Sequence, residues 1–600
     1  MKKLLAVVLA VAVVGCLAAC GQKPAPEPAG SGSGSGSAAP VEKAVNVGLD
    51  AVYGPNGDQY WSAYDEIIKK VKTTADMTER ASYMYEAESW IKDTWTILPL
   101  YYYTNPYLCS TSLKDYIYSP LGWVSYKYAY MDTGLADITV NFSSDPETMD
   151  PALNSSVDGA VMLTNSFAGL YGYDTDMNII PECAEEVVAP TALEGGKYQY
   201  VIKLKDGLKW SDGVDMKASD FEYAWKRAAD PATAADYQYM FDVIDGYSDD
   251  ETCNLNVTAD DAAGTITIVT SAYCAYFDQL MAFPTYFPVR QDVVENDSWA
   301  TSAATYVSNG PFKMKDWTVG SEIVFEKNPN YWDAANVKLN SIKFFLSNDD
   351  DAIYANFTNG TIQYTTTVPV SQIPVLKADP TRMNVDFFIG DYIGTYFLEV
   401  NVNWSFKPGL AVTSDTAEAW EGWTPAQNAE VRHALALLID RNYIVEQVTA
   451  GGQLPAYGFV PAGMDDGTGT EFRSAADPWW SVDPADYEAN KAEAVEILKK
   501  YYTFDEATGK FTDFPKFEYS ANPTSGNLAI CAAIQDMWDD YGIEVDVDQR
   551  DWAVIQTALT AGDFTLSRLG WIADYNDPVN FLEILVSASG NNHPHLGRAQ

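Results

Sequence analysis

Strand-like and helix-like patterns alternate along the greater part of this 600-residue chain, which confines it to an α/β protein of several domains. TITIVTSAY (265–273) and YQYVIKLKDG (198–207) alternate apolar and polar residues, the mark of half-buried strands. NAEVRHALALLIDRNYIVEQVTAGG (428–452) has helical periodicity up to paired glycines, and KAEAVEILKKYY (491–502) is a second amphipathic helix. With 47% hydrophobic and 20% charged residues, the chain has the composition of packed cores, not of disorder.

Charge narrows the partners. Lys and Arg number 38 against 83 Asp and Glu, a formal net charge of −45. Such a surface repels nucleic acid, whose binding depends on basic side chains displacing counterions, and it disfavours anionic lipid headgroups. Histidine is confined to His433, His593 and His595, which excludes a His-rich metal site in the body. The seven cysteines match neither zinc nor redox spacing, and no metal or cofactor is expected. Outside the leader they are Cys109, Cys183, Cys253, Cys274 and Cys531, an odd number that reads as buried small hydrophobes. The 17 Trp and 39 Tyr fit either large cores with surface tyrosines or a cleft lined by flat amphipathic rings.

The first 20 residues, MKKLLAVVLAVAVVGCLAAC, read as a signal peptide: Lys2 and Lys3, then an apolar stretch too short to span a bilayer comfortably. Leu17-Ala18-Ala19-Cys20 resembles the bacterial lipobox, which implies cleavage before Cys20 and a lipid on its thiol; Val13-Val14-Gly15-Cys16 is a weaker site. Residues 21–45, opening GQKPAPEPAGSGSGSGSAAP, form a flexible tether. The expected location is therefore extracytoplasmic, with the lipid as the sole membrane attachment.

Several segments resemble one family. KLKDGLKWSDGVDMKASDFEYAWKRAADPATAADY (203–237), DPETMDPALNSSVDGAV (145–161), YVSNGPFKMKDW (306–317) and FEKNPNYWD (325–333) are similar to the family 5 extracellular solute-binding proteins of oligopeptide and dipeptide ABC importers. VRHALALLIDRNYIVEQV (431–448), LPAYGFVPAG (454–463) and GWIADYNDPVNFL (570–582) continue the match, closest to the oligopeptide branch. The resemblance implies a two-lobed, periplasmic-binding-protein-like class II fold of α/β type, with hinge strands and an extra inserted domain. It further implies capture of short peptides between closing lobes, delivery to ABC permease subunits, and a monomer.

One departure concerns order. The segment 88–131 resembles the family's extreme C-terminal part, yet here it precedes the usual start, so the chain reads as circularly permuted, with native ends fused around Asp132-Thr133-Gly134. The implied organisation assigns 46–103 to a displaced part of the second lobe and 104–131 to a displaced segment of the first. Residues 135–167 and 306–393 form the rest of the first lobe, 168–305 the inserted domain and 394–592 the rest of the second lobe. The tail 593–600 is expected to be unstructured.

For the cleft, the resemblance carries Asp574 over as the acid that grips a peptide's α-amino group, while Asp577 reads as structural. Trp571 lies either against the peptide or in the core; Arg568 lies either near the carboxylate end or in a buried ion pair. Trp552 matches a pocket wall, Tyr237 a cleft tyrosine, and Ser155 and Val157 the loop that meets the ligand backbone. Tyr396, near the hinge, and Asn527 complete the candidates. Asn527 and Leu559 stand where the well-studied branch has His and Arg, both of which hold peptide carboxylates, so length preference is open. Trp210-Ser211-Asp212-Gly213 reads as a structural turn.

No catalytic residue is expected. A secreted hydrolase would need two carboxylates facing a scissile bond, a signal without specificity among 83 acids, and no GxSxG or HExxH motif occurs. Other solutes for the same receptor (dipeptides, cell-wall peptides, opines, oligosaccharides) remain alternatives.

Overall fold

Two long antiparallel strands, Ile97–Cys109 and Phe387–Val400, run side by side through an 11-stranded sheet and belong to both lobes. The computed structural model describes residues 61–248, 250–296, 298–410 and 417–597. The leader, Cys16, Cys20, the tether and the stretch 46–60 lie outside the described residues. Aromatic and β-branched side chains fill both long strands, and such residues suit a pleated surface covered by packing.

On one side of this pair the sheet continues through Tyr364–Thr365, Asp137–Phe142, Ser341–Leu346, Glu322–Lys327 and Phe312–Thr318. That half is the first lobe. On the other side lie Leu566–Ile572, Phe517–Ala521 and Val545–Gln549, with Leu454–Pro455 pairing the first long strand. That half is the second. A separate four-stranded sheet, Val257–Asp260, Thr265–Thr270, Tyr198–Lys203 and Thr191–Ala192, occupies the region read as an insertion.

The junction between lobes coincides with a register break. Tyr102 pairs with Thr395, but Thr104 pairs with Asp391, so Tyr103 alone faces three residues of the neighbouring strand. Extra residues of this kind bend a strand and loosen its ladder. Gly394 and Gly570 let Tyr103 lie close: a Cβ on Gly394 would stand 2.7 Å from the Trp571 carbonyl, and one on Gly570 would overlap the Tyr103 hydroxyl.

The helices Trp61–Thr73 and Met77–Thr94 cover the second lobe. Asp76 caps the latter by accepting from the amides of Thr78 and Glu79, at 2.9 and 3.1 Å. Trp61, Tyr64, Ile67, Ile68 and Val71 share the buried face of the former. Their partners lie far along the chain. The Trp61 indole donates to the Leu585 carbonyl at 2.7 Å and the Tyr64 hydroxyl to that of Leu582 at 2.6 Å. Arg80 forms a two-pronged ion pair with Asp577, both bonds 2.9 Å, and Arg473 does the same with Glu88. Asp577 is thus structural. Gly597 lies against Trp61, so the two ends of the described chain adjoin.

Two expectations need correction. The helix expected over 428–452 is broken into Pro425–Leu437, Arg441–Tyr443 and the wider-wound turn Ile444–Thr449. Asp440 caps the second piece through the Tyr443 amide, and the Arg441 guanidinium takes the carbonyls of Ala436 and Ile439 that a continuous helix would have used. The tail is packed at least as far as Gly597: Leu596 is fully buried, and the Val402 amide donates to the Pro594 carbonyl at 3.0 Å. Residues 598–600 lie outside the described ones.

Four of the five body cysteines are buried thiols and Cys253 is half-buried. Trp210 is buried with its indole on Asp220, 3.0 Å away, and Gly213 closes its turn at φ 91°. No helix among the described residues is long and apolar enough to cross a membrane.

Candidate functional site

A cleft of about 780 Å³ opens between the lobes, within the ~300–1,000 Å³ usual for small-ligand sites. Seven of the nine candidates line it: Ser155, Val157, Tyr237, Trp552, Arg568, Trp571 and Asp574. They come from four places in the chain. Ser155 and Val157 precede and open the helix Val157–Ser166, capped by the Ser156 hydroxyl accepting from the Gly159 amide at 3.1 Å. Gly159 has to be glycine, because a Cβ there would run into the Asn154 side chain. Tyr237 lies in the region read as an insertion, Trp552 opens the helix Trp552–Ala561, and Arg568 and Trp571 lie on the strand Leu566–Ile572.

Asp574 follows that strand and is held from two sides. Its Oδ1 accepts from the Tyr237 hydroxyl and its Oδ2 from Asn580 Nδ2, both at 3.0 Å. Asn580 also fixes the loop itself: its Oδ1 accepts from the Asp574 amide at 2.9 Å and the Trp571 indole at 3.0 Å. Burial pushes the Asp574 carboxyl up to about 7, against the pull of the Asn580 and Tyr237 hydrogen bonds. Among the described residues no cation pairs with it. This carboxylate is oriented, partly dehydrated and without a counter-charge, which suits it to a ligand ammonium.

Arg568 donates through Nε to Asn522 Oδ1 at 2.7 Å, and its guanidinium lies 4.5 Å from the centre of the Trp552 ring. Among the described residues no carboxylate lies within ion-pair distance of it, although buried Glu399 feels its charge, and the guanidinium lines the cleft. Trp571 is 8% exposed, held by Asn580, and lines the cleft. Ser155 donates to Asp236 Oδ2 at 2.8 Å.

Tyr396 and Asn527 are not part of the cleft wall, contrary to expectation. Tyr396 is 2% exposed and stacks on Tyr101 at 4.9 Å, a neighbour across the two long strands. Its hydroxyl donates to Asn527 Oδ1 at 3.1 Å, and Asn527 Nδ2 donates to Asn522 Oδ1 at 2.7 Å. Asn522 is the acceptor that fixes Arg568, so this relay lies behind the guanidinium. The sequence reading missed Asn580, Asp158, Asp236 and His593. Asn580 stands inside the quoted run GWIADYNDPVNFL, but its role depends on a loop closing back on itself. His593 reaches the cleft because the tail packs, and lies 3.7 Å from buried Glu399. Among the described residues no group of His, Cys, Asp and Glu could hold a metal ion.

Comparison with known proteins places the chain in a family. A model of the bacterial extracellular solute-binding proteins, family 5 Middle, matches residues 178–593. The oligopeptide-binding protein OppA of Bacillus subtilis is 31% identical over 474 residues, covering 77% of this chain and 79% of that protein. The periplasmic oligopeptide-binding protein OppA of Salmonella typhimurium is 30% identical, covering 76% and 78%. Among solved structures, the murein tripeptide binding protein MppA of Escherichia coli superposes with a TM-score of 0.64 at 24% identity, over 77% of this chain and 84% of that one. Haemophilus influenzae OppA in complex with RPPGFSPFR gives 0.61 at 26% identity, over the same shares.

Proposed function

The chain belongs to family 5 of the bacterial extracellular solute-binding proteins, and from that premise we propose that its cleft captures short peptides for an ABC importer. The observation that carries the reading is one cleft holding, among the described residues, both a carboxylate with no ion-paired cation, Asp574, and a guanidinium with no ion-paired carboxylate, Arg568. A peptide zwitterion offers the complement of each. Asp574 takes the α-ammonium and Arg568 the carboxylate, with the Tyr396–Asn527–Asn522 relay steadying the guanidinium. Trp552 and Trp571 flank the ligand, and Ser155 and Val157 meet its backbone. Relatives named for oligopeptide binding support the same class of ligand. No catalytic step is assigned to any of these residues.

Calorimetric titration with tri- to hexapeptides and their N-acetylated twins tests this. Free peptides bind and acetylated ones do not, and Asp574→Asn abolishes the distinction. Equal binding of both forms, or binding of oligosaccharides instead, refutes it.

Cys20 anchors the protein outside the cell membrane through a lipid, and residues 21–45 let the body reach the permease as a monomer. Cys20→Ser then releases the protein from the membrane fraction. The gene order is circularly permuted. What supports this is the contact of Gly597 with Trp61, since permutation is tolerated where ends adjoin. A chain reordered to run 134–592 and then 51–131 is expected to melt cooperatively and bind the same peptides. Failure of that chain to fold counts against the permutation.

A further inference from the structure

The cleft is unevenly charged. Four carboxylates, Glu147, Asp158, Asp236 and Asp574, line it against the guanidinium of Arg568, with the Tyr237 phenol and the His593 imidazole as the other titratable groups. Two of the four are already engaged. Asp574 accepts from Tyr237 and Asn580, and Asp236 from Ser155. Glu147 is exposed, where water screens it.

Asp158 differs from all three. It sits in the first turn of the helix Val157–Ser166, next to the residue that meets the ligand backbone, and it is half-buried in the cleft wall. Among the described residues its hydrogen bond is from the Ser143 hydroxyl at 3.5 Å, the outer limit of such a bond. Among the described residues no Lys, Arg or His pairs with it. Burial raises its carboxyl to about 6, as befits an acid screened from water without a counter-charge. An aromatic ring stands close by. A Cβ on Gly122 would lie 3.0 Å from Tyr392 Cε2 and 3.1 Å from Val157 Cγ1, so Tyr392 packs beside Val157, and the Asp158 charge adds to the burial that raises the Tyr392 phenol. An acid in the first helical turn also favours the helix dipole, but a fully exposed position would serve that purpose without dehydrating the charge.

The geometry points to Asp158 as the residue by which this cleft selects peptides carrying a lysine or arginine at one side-chain position. The inference rests on the peptide reading above. A cationic side chain entering beside Asp158 supplies the missing counter-charge, a setting that favours cations over apolar chains of equal length.

The test is calorimetric titration of the full chain and of its Asp158→Asn variant at one pH, near 7.5. The ligands are tetra-alanine and the series in which each alanine after the first is replaced in turn by lysine or by norleucine, which is apolar and of matching length. One lysine peptide is expected to bind about tenfold or more tighter than its norleucine twin, the scale of a charge-assisted hydrogen bond. In Asp158→Asn that gap closes to within about twofold while the norleucine peptide binds as before. Asp158→Ser, which keeps a small polar side chain in the helix's first turn, gives the same readout if the asparagine variant melts early. Equal binding of lysine and norleucine at every position overturns the assignment and leaves peptide capture standing. So does a lysine preference that survives Asp158→Asn. Wild-type protein that binds none of the peptides overturns the peptide reading, and this inference with it.

Discussion

Asp574 provides a quantitative link between pH and ligand capture. In the empty cleft its carboxyl is held near 7, so acidification neutralises it well before ordinary carboxylates. A ligand ammonium binds the ionised form, and the ionised fraction falls tenfold for each pH unit below 7. At pH 5 about 1% remains, so affinity for a peptide without basic residues should be roughly 100-fold weaker than above pH 8. On the alkaline side the peptide's own α-amino group, near 7.7–8.0, loses its proton, and the optimum should lie between about pH 7 and 8. Calorimetry at pH 5, 6, 7 and 8 on wild type and Asp574→Asn reads this directly. In the variant the acid limb flattens, and affinity near pH 7.5 falls by about 10- to 100-fold, the scale of one charge-assisted hydrogen bond. The reasoning also fixes a sign for stability. The folded value of about 7 exceeds the ordinary 3.8, so the empty fold loses stability as pH rises through 7 and keeps it at the acid end. Asp574→Asn should therefore raise the melting temperature of the empty protein at pH 8, within a ceiling of about 4 kcal/mol, and change little near pH 4. A wild-type affinity flat from pH 8 to 5, or an acid limb that persists in the variant, refutes the assignment.

Arg568→Met should abolish discrimination between peptide acids and peptide amides, measured by competition binding, while leaving the distinction between free and acetylated amino ends. Asp577→Asn strands the buried Arg80 guanidinium, and unfolding in urea should show a loss of about 3–5 kcal/mol. Trp61→Ala removes a fully buried indole and its hydrogen bond to Leu585, for a similar loss of about 3–5 kcal/mol in the same assay.

Local patterns in the sequence revealed what local physics decides. The alternation at 198–203 and 265–270 gives adjacent strands of the four-stranded sheet, because a half-buried strand needs one apolar face. The periodic run 491–502 is largely the helix Tyr487–Leu498. Periodicity could not reveal the break after Leu437, since apolar residues continue through it and the interruption depends on where Arg441 finds acceptors. Nor could motif position show which face of a strand a side chain takes. Tyr396 belongs to the hinge run, yet its ring stacks on Tyr101 and is not among the residues lining the cleft. The tail was illegible for the same reason: His-Pro-His-Leu has no period, and Leu596 is buried only because distant segments close around it.

The pairing of the first described helices with the last part of the chain also fixes when the fold can be completed. Arg80 and Asp577 are 497 residues apart. At a synthesis rate of about 5–20 residues per second, Arg80 waits roughly 25–100 s for its carboxylate. During that interval the face formed by Trp61, Tyr64, Ile67, Ile68 and Val71 lacks the carbonyls and apolar surface that finally cover it. A nascent chain with such a face is prone to aggregate until its partners emerge. In the reordered chain the same helices would leave the ribosome soon after their partners, shortening the exposure to a few seconds or about ten.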